Sequence, residues 1–271
     1  MLIKERFKIA YRVYLITGAS KGIGRILALN LCSSGHQVIC THYNDFENVN
    51  KLLEMSQNMA GSITFFNHDA TKSEGIDKII EYILDSYGKI DALINNAGYK
   101  LDKAFLLTSE HEWHEQMNIN INSAYYFSKK VLKSMIIKKQ GKIINMGAVS
   151  GAHIAGPRQV AYGASKSALV GMTKSLAYEL AEYNIKVNMV TGGMIDTEGM
   201  MFDQQMKRTW ANHIPLKRLG NPEEVANMIE YLLSSKADYI TGQEFILDGG
   251  MTLLGFTNLK SMFPEKYKGS Y

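Results

Sequence analysis

The sequence has few of the residues that mark secreted or metal-binding proteins. Among its 271 residues it has two cysteines, Cys32 and Cys40, which exclude a disulfide framework and lack the spacing of metal ligands. We therefore predict buried apolar cysteines, no metal, and a reducing, cytoplasmic location. Residues 1–11 alternate charged and apolar side chains without a continuous apolar stretch. Neither a signal peptide nor a membrane span is predicted at this end of the chain.

The sequence also lacks a dense block of basic residues. Its formal net charge of +4, spread over this length, is too small to favour nucleic acid or an anionic membrane as a partner. With 46% hydrophobic and 21% charged residues, the composition is typical of a globular protein. We expect one domain over residues 1–271, with a core of about 12–251 and a C-terminal tail over 252–271.

Short β-branched runs alternate with longer helical patterns along the chain. The strand candidates are Arg12–Thr17, Gln37–Thr41, Ile63–Asn67, Asp91–Asn95, Lys142–Met146, Lys186–Val190 and Glu244–Leu247. The first helical pattern, Gly22–Ser34, ends before a glycine. Near-continuous apolar strands separated by helices predict an α/β fold, a doubly wound parallel sheet of the Rossmann type with helices on both faces. The Met-rich segment Gly192–Ile214 interrupts this alternation and is predicted to be a substrate lid.

A glycine-rich turn follows the first predicted strand and reads Thr17-Gly18-Ala19-Ser20-Lys21-Gly22-Ile23-Gly24. Glycine permits close approach of a ligand to the backbone, and the amino terminus of the next helix attracts a pyrophosphate. Such a turn is weak evidence alone, but its place in the first strand-helix unit favours dinucleotide binding.

Tyr162 and Lys166 are four residues apart in a predicted helix. Their side chains therefore leave the same face of the helix, with a phenol beside an ammonium. A positive charge favours the phenolate, which is typical of a general acid/base. An ordinary surface pair at this spacing is the alternative, and the pair alone does not decide between them.

These features together resemble the short-chain dehydrogenase/reductase family. The resemblance extends from about Val13 to Met251. The motifs that carry it are Gly18, Gly22 and Gly24, the run Asn95-Asn96-Ala97-Gly98, Asn120, Tyr162 with Lys166, and the runs Ile240-Thr241-Gly242 and Asp248-Gly249-Gly250. Within the family, the run from Leu216 to Glu224 is most similar to bacterial 3-oxoacyl-[acyl-carrier-protein] reductases.

The resemblance implies an NADPH-dependent ketoreductase. It would reduce a carrier-bound 3-oxoacyl group to the 3-hydroxyacyl group in fatty-acid or polyketide synthesis. In this family analogy Tyr162 donates a proton to the carbonyl oxygen, Lys166 holds the nicotinamide ribose and keeps the phenol acidic, and Asn120 supports a water that replaces the proton. Asn118 and Asn122 are the alternatives to Asn120.

NADP(H) is predicted as cofactor because the second strand ends without a carboxylate, and the next acid is Asp45. Lys21, with Thr41 and His42, is expected to hold the 2′-phosphate. Asp69 resembles the adenine-edge residue of the family, and Ile195 and Thr197 resemble its contacts with the carboxamide. The full set of predicted cofactor contacts is Gly18, Ser20, Lys21, Gly22, Ile23, Gly24, Thr41, His42, Asp69, Asn96, Ala97, Gly98, Tyr162, Lys166, Ile195 and Thr197.

Ala148 stands where relatives carry a serine that polarises the substrate carbonyl, and Gly192 where they usually carry a proline. Ser150 is the candidate replacement for the missing serine, and a turn residue without a catalytic role is the alternative. The departures leave two other functions open: reduction of a free small ketone, or a weakly active or non-catalytic partner subunit.

The resemblance also implies assembly and partners. A homotetramer is expected, with a hetero-oligomer as the alternative, and acyl carrier protein is the expected macromolecular partner. Lys138 and Lys139 are candidates to dock the acidic carrier. Positions expected at a subunit interface on the two helices after the fourth and fifth strands are Tyr125, Tyr126, Met135, Leu169, Met172 and Leu176.

Overall fold

A computed structural model of the chain describes residues 11–200 and 203–253. From residue 254 onward, the predicted C-terminal tail lies outside the described residues. Seven strands are present in this part of the chain: β1 Val13–Ile16, β2 Gln37–His42, β3 Ser62–Asn67, β4 Ala92–Asn95, β5 Gly141–Ala148, β6 Ile185–Gly192 and β7 Glu244–Leu247. They form one sheet in the order β3-β2-β1-β4-β5-β6-β7, and every neighbouring pair is parallel.

Helices connect the strands, as a parallel sheet requires. They are α1 Gly22–Ser33, α2 Phe46–Ser56, α3 Ile76–Tyr87, α4 Glu110–Met117, α5 Ser123–Lys138, α6 Val160–Leu180, α7 Gln204–His213 and α8 Pro222–Leu233. A π-helical turn, Asn118–Asn122, joins α4 to α5. Within the described ranges, none of the helices is both long and apolar enough to cross a membrane.

The predicted fold class is confirmed, and all seven predicted strands are present. The largest differences are at the carboxyl ends of β5 and β6, which extend to Ala148 and Gly192. Both strands end in small residues, so the apolar pattern from which the strands were predicted ends earlier than the hydrogen-bonded pairing of β5 with β6. Ala148 and Gly192 are register partners.

The order of the strands changes direction at β1: β2 and β3 lie on one side of it, and β4 to β7 lie on the other. Ile16 pairs with Cys40 of β2 on one side and with Ile94 of β4 on the other. In an open parallel sheet a crevice forms at such a point, outside the carboxyl ends of the strands, and ligands bind there. The glycine turn after β1 and the turn after β4 therefore border the same crevice.

Apolar side chains fill both faces of the sheet. On one face, Leu27 of α1 and Ile229 of α8 are buried against the strands. On the other, Ile83 of α3, Phe127 of α5 and Leu180 of α6 are buried. Because both faces are covered, the strands are apolar nearly throughout, which explains why they were visible in the sequence.

Two cationic side chains cap the carboxyl end of α8. Lys142 Nζ donates to Leu232 O at 3.0 Å, and Arg12 Nη1 donates to Leu233 O at 2.6 Å. Lys142 also forms an ion pair with Asp238 at 2.7 Å. Positive charge at a helix carboxyl terminus satisfies free carbonyl groups and the helix dipole, so these residues fix α8 against the sheet.

Candidate active site

The glycine turn is packed directly against the turn after β4. Gly18 has φ +63°, and a Cβ at this position would lie 2.9 Å from the Cα of Ala97, so only glycine fits. Asn96 Nδ2 donates to Thr17 O at 3.0 Å and to Gly18 O at 2.7 Å. The two turns are therefore held together at the crevice.

The amino terminus of α1 faces this crevice with free donors. Its first turn begins Gly22-Ile23-Gly24, and among the described residues no side chain caps its N–H groups. Thr197 lies over Gly22, at 3.8 Å from the position of a Cβ there. Uncapped N–H groups and a positive dipole end are suited to a pyrophosphate.

Thr41 and His42, predicted to hold a phosphate, are both buried at the end of β2. Thr41 Oγ1 accepts a hydrogen bond from Gly18 N at 3.2 Å. The ring of His42 packs edge-on against Phe46 and Phe65, and burial lowers its pKa. The lowered pKa makes the imidazole less suited to bind a phosphate as a cation, and the contact of His42 with the phosphate stays a prediction.

Asp45 is the acidic residue that sequence analysis set aside, and the structure brings it to the glycine turn. Its Oδ2 accepts from Ser20 Oγ at 2.7 Å, and its Oδ1 accepts from Asn48 Nδ2 at 2.9 Å. Burial opposes ionisation, but these hydrogen bonds and the charge of Lys21 lower the pKa of Asp45 below its ordinary value. Asp45 follows the glycine turn by about 20 residues, which is the spacing of a ribose-binding acid. This spacing is the sequence signal that could have identified Asp45 as a site residue.

The remaining cofactor candidates lie at the ends of other strands. Asp69 follows β3, and its Oδ1 accepts from Thr71 N at 2.9 Å and Thr71 Oγ1 at 2.8 Å. Ile195 is buried after β6 and is bridged to Gly220. Glu198 forms an ion pair with Arg25 of α1. The segment after β6 is thus tied to the helix that begins at the glycine turn.

Lys166 and Tyr162 lie on one face of α6, as predicted, beside the end of β5. Lys166 Nζ is buried, donates to Met146 O at 2.8 Å and lies 5.9 Å from the centroid of the Tyr162 ring. Burial lowers the pKa of Lys166 to about 8. Burial, with a contribution from Asp102, raises the pKa of Tyr162 to about 12.

The phenol is therefore less acidic than sequence analysis predicted, because burial and the charge of Asp102 both raise its pKa. Tyr162 is half-buried and keeps its proton at neutral pH. A protonated phenol is the form that can donate to a developing alkoxide.

Asn120 is the middle residue of the π-helical turn, and it is buried. Its Oδ1 accepts from Tyr99 N at 2.9 Å, and its Nδ2 donates to Tyr99 O at 2.8 Å. Gly98 stands between this residue and Lys166: a Cβ there would lie 3.4 Å from Asn120 Oδ1 and 3.5 Å from Lys166 Nζ. π-Helical turns are frequent at functional sites. The structure thus brings Asn120, Gly98 and Lys166 together.

Its two neighbouring asparagines are engaged elsewhere. Asn122 Nδ2 donates to Asn118 Oδ1 at 2.6 Å, so these side chains bind each other. Of the three asparagines in this turn, Asn120 is the one beside Lys166.

Ser150 lies in a tight turn after β5, two residues beyond Ala148. Gly151 N donates to Ile154 O at 2.8 Å and closes this turn. Gly151 packs on Gly163 of α6, where a Cβ would lie 3.1 Å from the Cα of Gly151. Ser150 precedes Gly151 in the chain, and Tyr162 precedes Gly163. The contact between the two glycines therefore places Ser150 near the turn of α6 that contains Tyr162.

The chain is similar in sequence to known reductases. A sequence model for the family described as enoyl-(acyl carrier protein) reductase matches residues 18–252. The 3-oxoacyl-[acyl-carrier-protein] reductase of Thermotoga maritima is 35% identical over 243 residues, which cover 89% of this chain and 98% of that protein. The enzyme of the same name from Buchnera aphidicola subsp. Schizaphis graminum is 39% identical over 249 residues, which cover 90% and 98%.

Solved structures are similar over nearly the same range. An acetoin dehydrogenase from Salmonella typhimurium has a TM-score of 0.81 and 31% identity, covering 90% of this chain and 96% of that one. A protein from Burkholderia xenovorans, described as a putative short-chain dehydrogenase/reductase, has a TM-score of 0.83 and 30% identity, covering 89% and 96%.

Proposed function

This chain belongs to the short-chain dehydrogenase/reductase family, and we propose that it reduces a 3-oxoacyl group on acyl carrier protein to the 3-hydroxyacyl group. Fatty-acid or polyketide synthesis is the setting proposed for this reaction. One observation carries the proposal: Gly98 lies next to both Lys166 and Asn120, and Lys166 lies beside Tyr162. These residues are at the crevice that the glycine turn borders. The curated relatives reported above carry the same activity in their names.

A nicotinamide dinucleotide fits the residues of the crevice. The uncapped amino terminus of α1 suits its pyrophosphate, and Asp69 stands at the end of β3, where the adenine edge is proposed. Lys166 is proposed to hold the nicotinamide ribose, and Ile195 with Thr197 the carboxamide. When bound, the cofactor supplies the hydride for the carbonyl carbon. NADP(H) is the proposed form, because Lys21 belongs to the glycine turn and its ammonium would attract a 2′-phosphate.

Tyr162 is proposed to donate its proton to the carbonyl oxygen as the hydride reaches the carbon. Because the pKa of Tyr162 is raised to about 12, the phenol is protonated at neutral pH. Lys166, with a pKa of about 8, is mostly charged at pH 7 and stabilises the phenolate that forms. Asn120, whose amide is fixed by Tyr99, is proposed to support the water that returns a proton to the phenolate.

Ser150 is proposed as the hydrogen-bond donor that polarises the carbonyl in place of the serine missing at Ala148. The contact between Gly151 and Gly163 supports this role, because it places the serine turn on the first turns of α6. One such donor is commonly worth about 10²–10³ in rate.

Two alternatives rest on particular observations. The likeness to an acetoin dehydrogenase favours a free small ketone as substrate. Ala148 and Gly192, at positions where relatives carry serine and proline, favour a weakly active or non-catalytic partner subunit.

A homotetramer in the cytoplasm is the proposed state. Tyr125 of α5 and Tyr178 of α6 are exposed, which supports an interface on these helices. Met135 and Leu169 do not contribute to that surface, because the structure places both in the core of the chain. Lys138 and Lys139 are exposed at the end of α5, which is compatible with docking of the acidic carrier.

Purified protein tests the proposal. We expect NADPH oxidation, followed by absorbance, with 3-oxoacyl carrier substrates of several chain lengths, and much slower oxidation with acetoin or other free ketones. Faster turnover of free ketones would favour the first alternative. Activity that appears only after a homologous subunit is added would favour the second.

A further inference from the structure

A short turn of the segment after β6 lies beside the amino terminus of α1. Thr197 is half-buried, and its Cβ and Cγ2 each lie 3.8 Å from the position that a Cβ on Gly22 would occupy. Gly22 is the first residue of α1. Met200 N donates to Thr197 O at 2.9 Å and closes the turn Thr197–Met200. This turn therefore stands next to the free N–H groups at which a pyrophosphate is proposed to bind.

The turn is attached at its base and at its outer side. At the base, Asp196 N donates to Gly220 O at 2.8 Å, and Gly220 N donates to Met194 O at 2.9 Å. The residues that precede the turn are thus fixed to the loop before α8. At the outer side, Glu198 forms an ion pair with Arg25, the fourth residue of α1. The turn is therefore joined across the amino terminus of the helix.

The two attachments differ in how easily they open. The base is held by two backbone hydrogen bonds beside Ile195, which is buried. In the ion pair, the side chain of Arg25 is 26% exposed and that of Glu198 is 51% exposed. Water competes for both groups, so a pair with this exposure contributes modestly and can break without unfolding. The ion pair can thus open while the base of the turn stays in place.

We infer that Arg25 and Glu198 form a latch beside the pyrophosphate site, and that opening of this latch limits how fast the dinucleotide enters and leaves. The inference rests on the proposed function, which supplies the dinucleotide. Arg25 acts through Glu198 and is therefore a positioning residue. The dinucleotide passes the same turn in both directions, so a weaker latch lowers one barrier for entry and for exit. The rates kon and koff should rise by the same factor, and Kd should stay nearly unchanged.

The experiment is stopped-flow fluorescence of the full chain with NADPH. Mixing with NADPH gives kon, and displacement of bound NADPH by excess NADP⁺ gives koff. In Arg25→Gln and in Glu198→Gln we expect both rates to rise about two- to fivefold, the effect of an ion pair with this exposure. The double variant should be no faster than either single variant, because one interaction is lost in all three. Arg25→Lys, which retains the charge, should stay close to the wild type.

Lys130→Gln is the matched control. Lys130 of α5 pairs with Asp77 of α3 at 2.7 Å, and their side chains are 39% and 61% exposed. This pair also joins two helices, but on the face of the sheet opposite to α1. Its loss should leave kon and koff unchanged. Thermal melting of each variant checks that folding is intact.

The results separate a latch from a direct contact with the pyrophosphate. If Arg25 bound the pyrophosphate itself, Arg25→Gln would weaken NADPH binding, whereas Glu198→Gln would strengthen it by removing a nearby acid. Such opposite changes of Kd overturn the inference. Unchanged rates in both variants, or an equal rise in Lys130→Gln, also overturn it, and the proposed function then stands. If the wild type does not bind NADPH, the proposed function fails and the inference falls with it.

Discussion

His153 and Glu244 join the serine turn to the edge strand of the sheet. His153 Nε2 donates to Glu244 Oε1 at 2.8 Å, and the same oxygen accepts from Thr191 Oγ1 at 2.5 Å. The contact spans β6, because His153 lies after β5 and Glu244 begins β7. The turn that contains Ser150 is therefore held on two sides, by the His153–Glu244 hydrogen bond and by the packing of Gly151 on Gly163.

The first prediction is that His153→Ala lowers kcat several-fold, because Ser150 loses one of its two supports, while the Kd of NADPH is unchanged. His153→Gln should retain most activity, since its amide can donate to Glu244 as Nε2 does. In a Ser150→Ala background, His153→Ala should add little further loss.

Asn30→Ala is the control for this prediction. It removes a similar hydrogen bond, from Asn30 Nδ2 to Glu230 Oε1 at 2.7 Å, which joins α1 to α8 away from the serine turn. Equal losses of kcat in both variants would show that His153 acts through general stability instead.

The second prediction concerns Ser150 itself. Ser150→Ala should lower kcat by about 10²–10³ if its hydroxyl polarises the carbonyl, and Ala148→Ser should then add little. Steady-state kinetics on both variants decides the matter. A nearly silent Ser150→Ala together with a faster Ala148→Ser would instead make Ser150 a turn residue.

The third prediction is that Tyr162→Phe abolishes reduction but leaves the Kd of NADPH within a small factor of the wild type. The phenol oxygen is needed to transfer a proton, whereas Tyr162 is one of many predicted cofactor contacts and the others remain in this variant. Calorimetry and turnover on the same preparation provide the test. Near-normal turnover would require a different proton donor.

The fourth prediction follows from the pKa of Lys166, about 8. Above this pH the ammonium is lost, so the phenolate left by proton donation is no longer stabilised. We expect the rate of reduction at saturating NADPH to decline as pH rises through about 8, while Tyr162, with a pKa of about 12, remains protonated. A profile that stays flat to pH 10 would contradict this assignment.

The fifth prediction concerns stability. Lys142→Met should destabilise the protein by about 1–3 kcal/mol in urea, because two carbonyl groups at the end of α8, Leu232 O and Ser234 O, lose a charged donor. Lys130→Met removes a more exposed pair, with Asp77, and should cost less than about 1 kcal/mol. The same cost for both lysines would mean that the contacts of Lys142 add nothing beyond a surface pair.

The fold could be predicted from local patterns because its strands are buried on both faces and therefore read as apolar runs. The ends of β5 and β6 were missed, since Ala148 and Gly192 carry no apolar signal. Tyr162, Lys166 and the glycine turn were identified from motifs whose residues are close in sequence.

Other parts of the site depend on contacts between distant segments. Asp45 reaches Ser20 only because its loop folds back, and Glu244 reaches His153 only across a strand. Neither contact has a local pattern. The pKa of Tyr162 was predicted in the wrong direction because the spacing of Lys166 was visible in the sequence, whereas the extent of burial was not.

The π-helical turn that carries Asn120 lets the helices on either side of it keep their faces. Such a turn holds one residue more than an α-helical path of the same length, so the extra residue is taken up locally and does not rotate α5 by the roughly 100° that one residue turns a regular helix. Phe127 and Val131 can therefore stay in the core, where both are fully buried. Deletion of one residue between Asn118 and Asn122 should leave α5 packed as it is but remove the wide turn, and with it the position of Asn120 beside Tyr99.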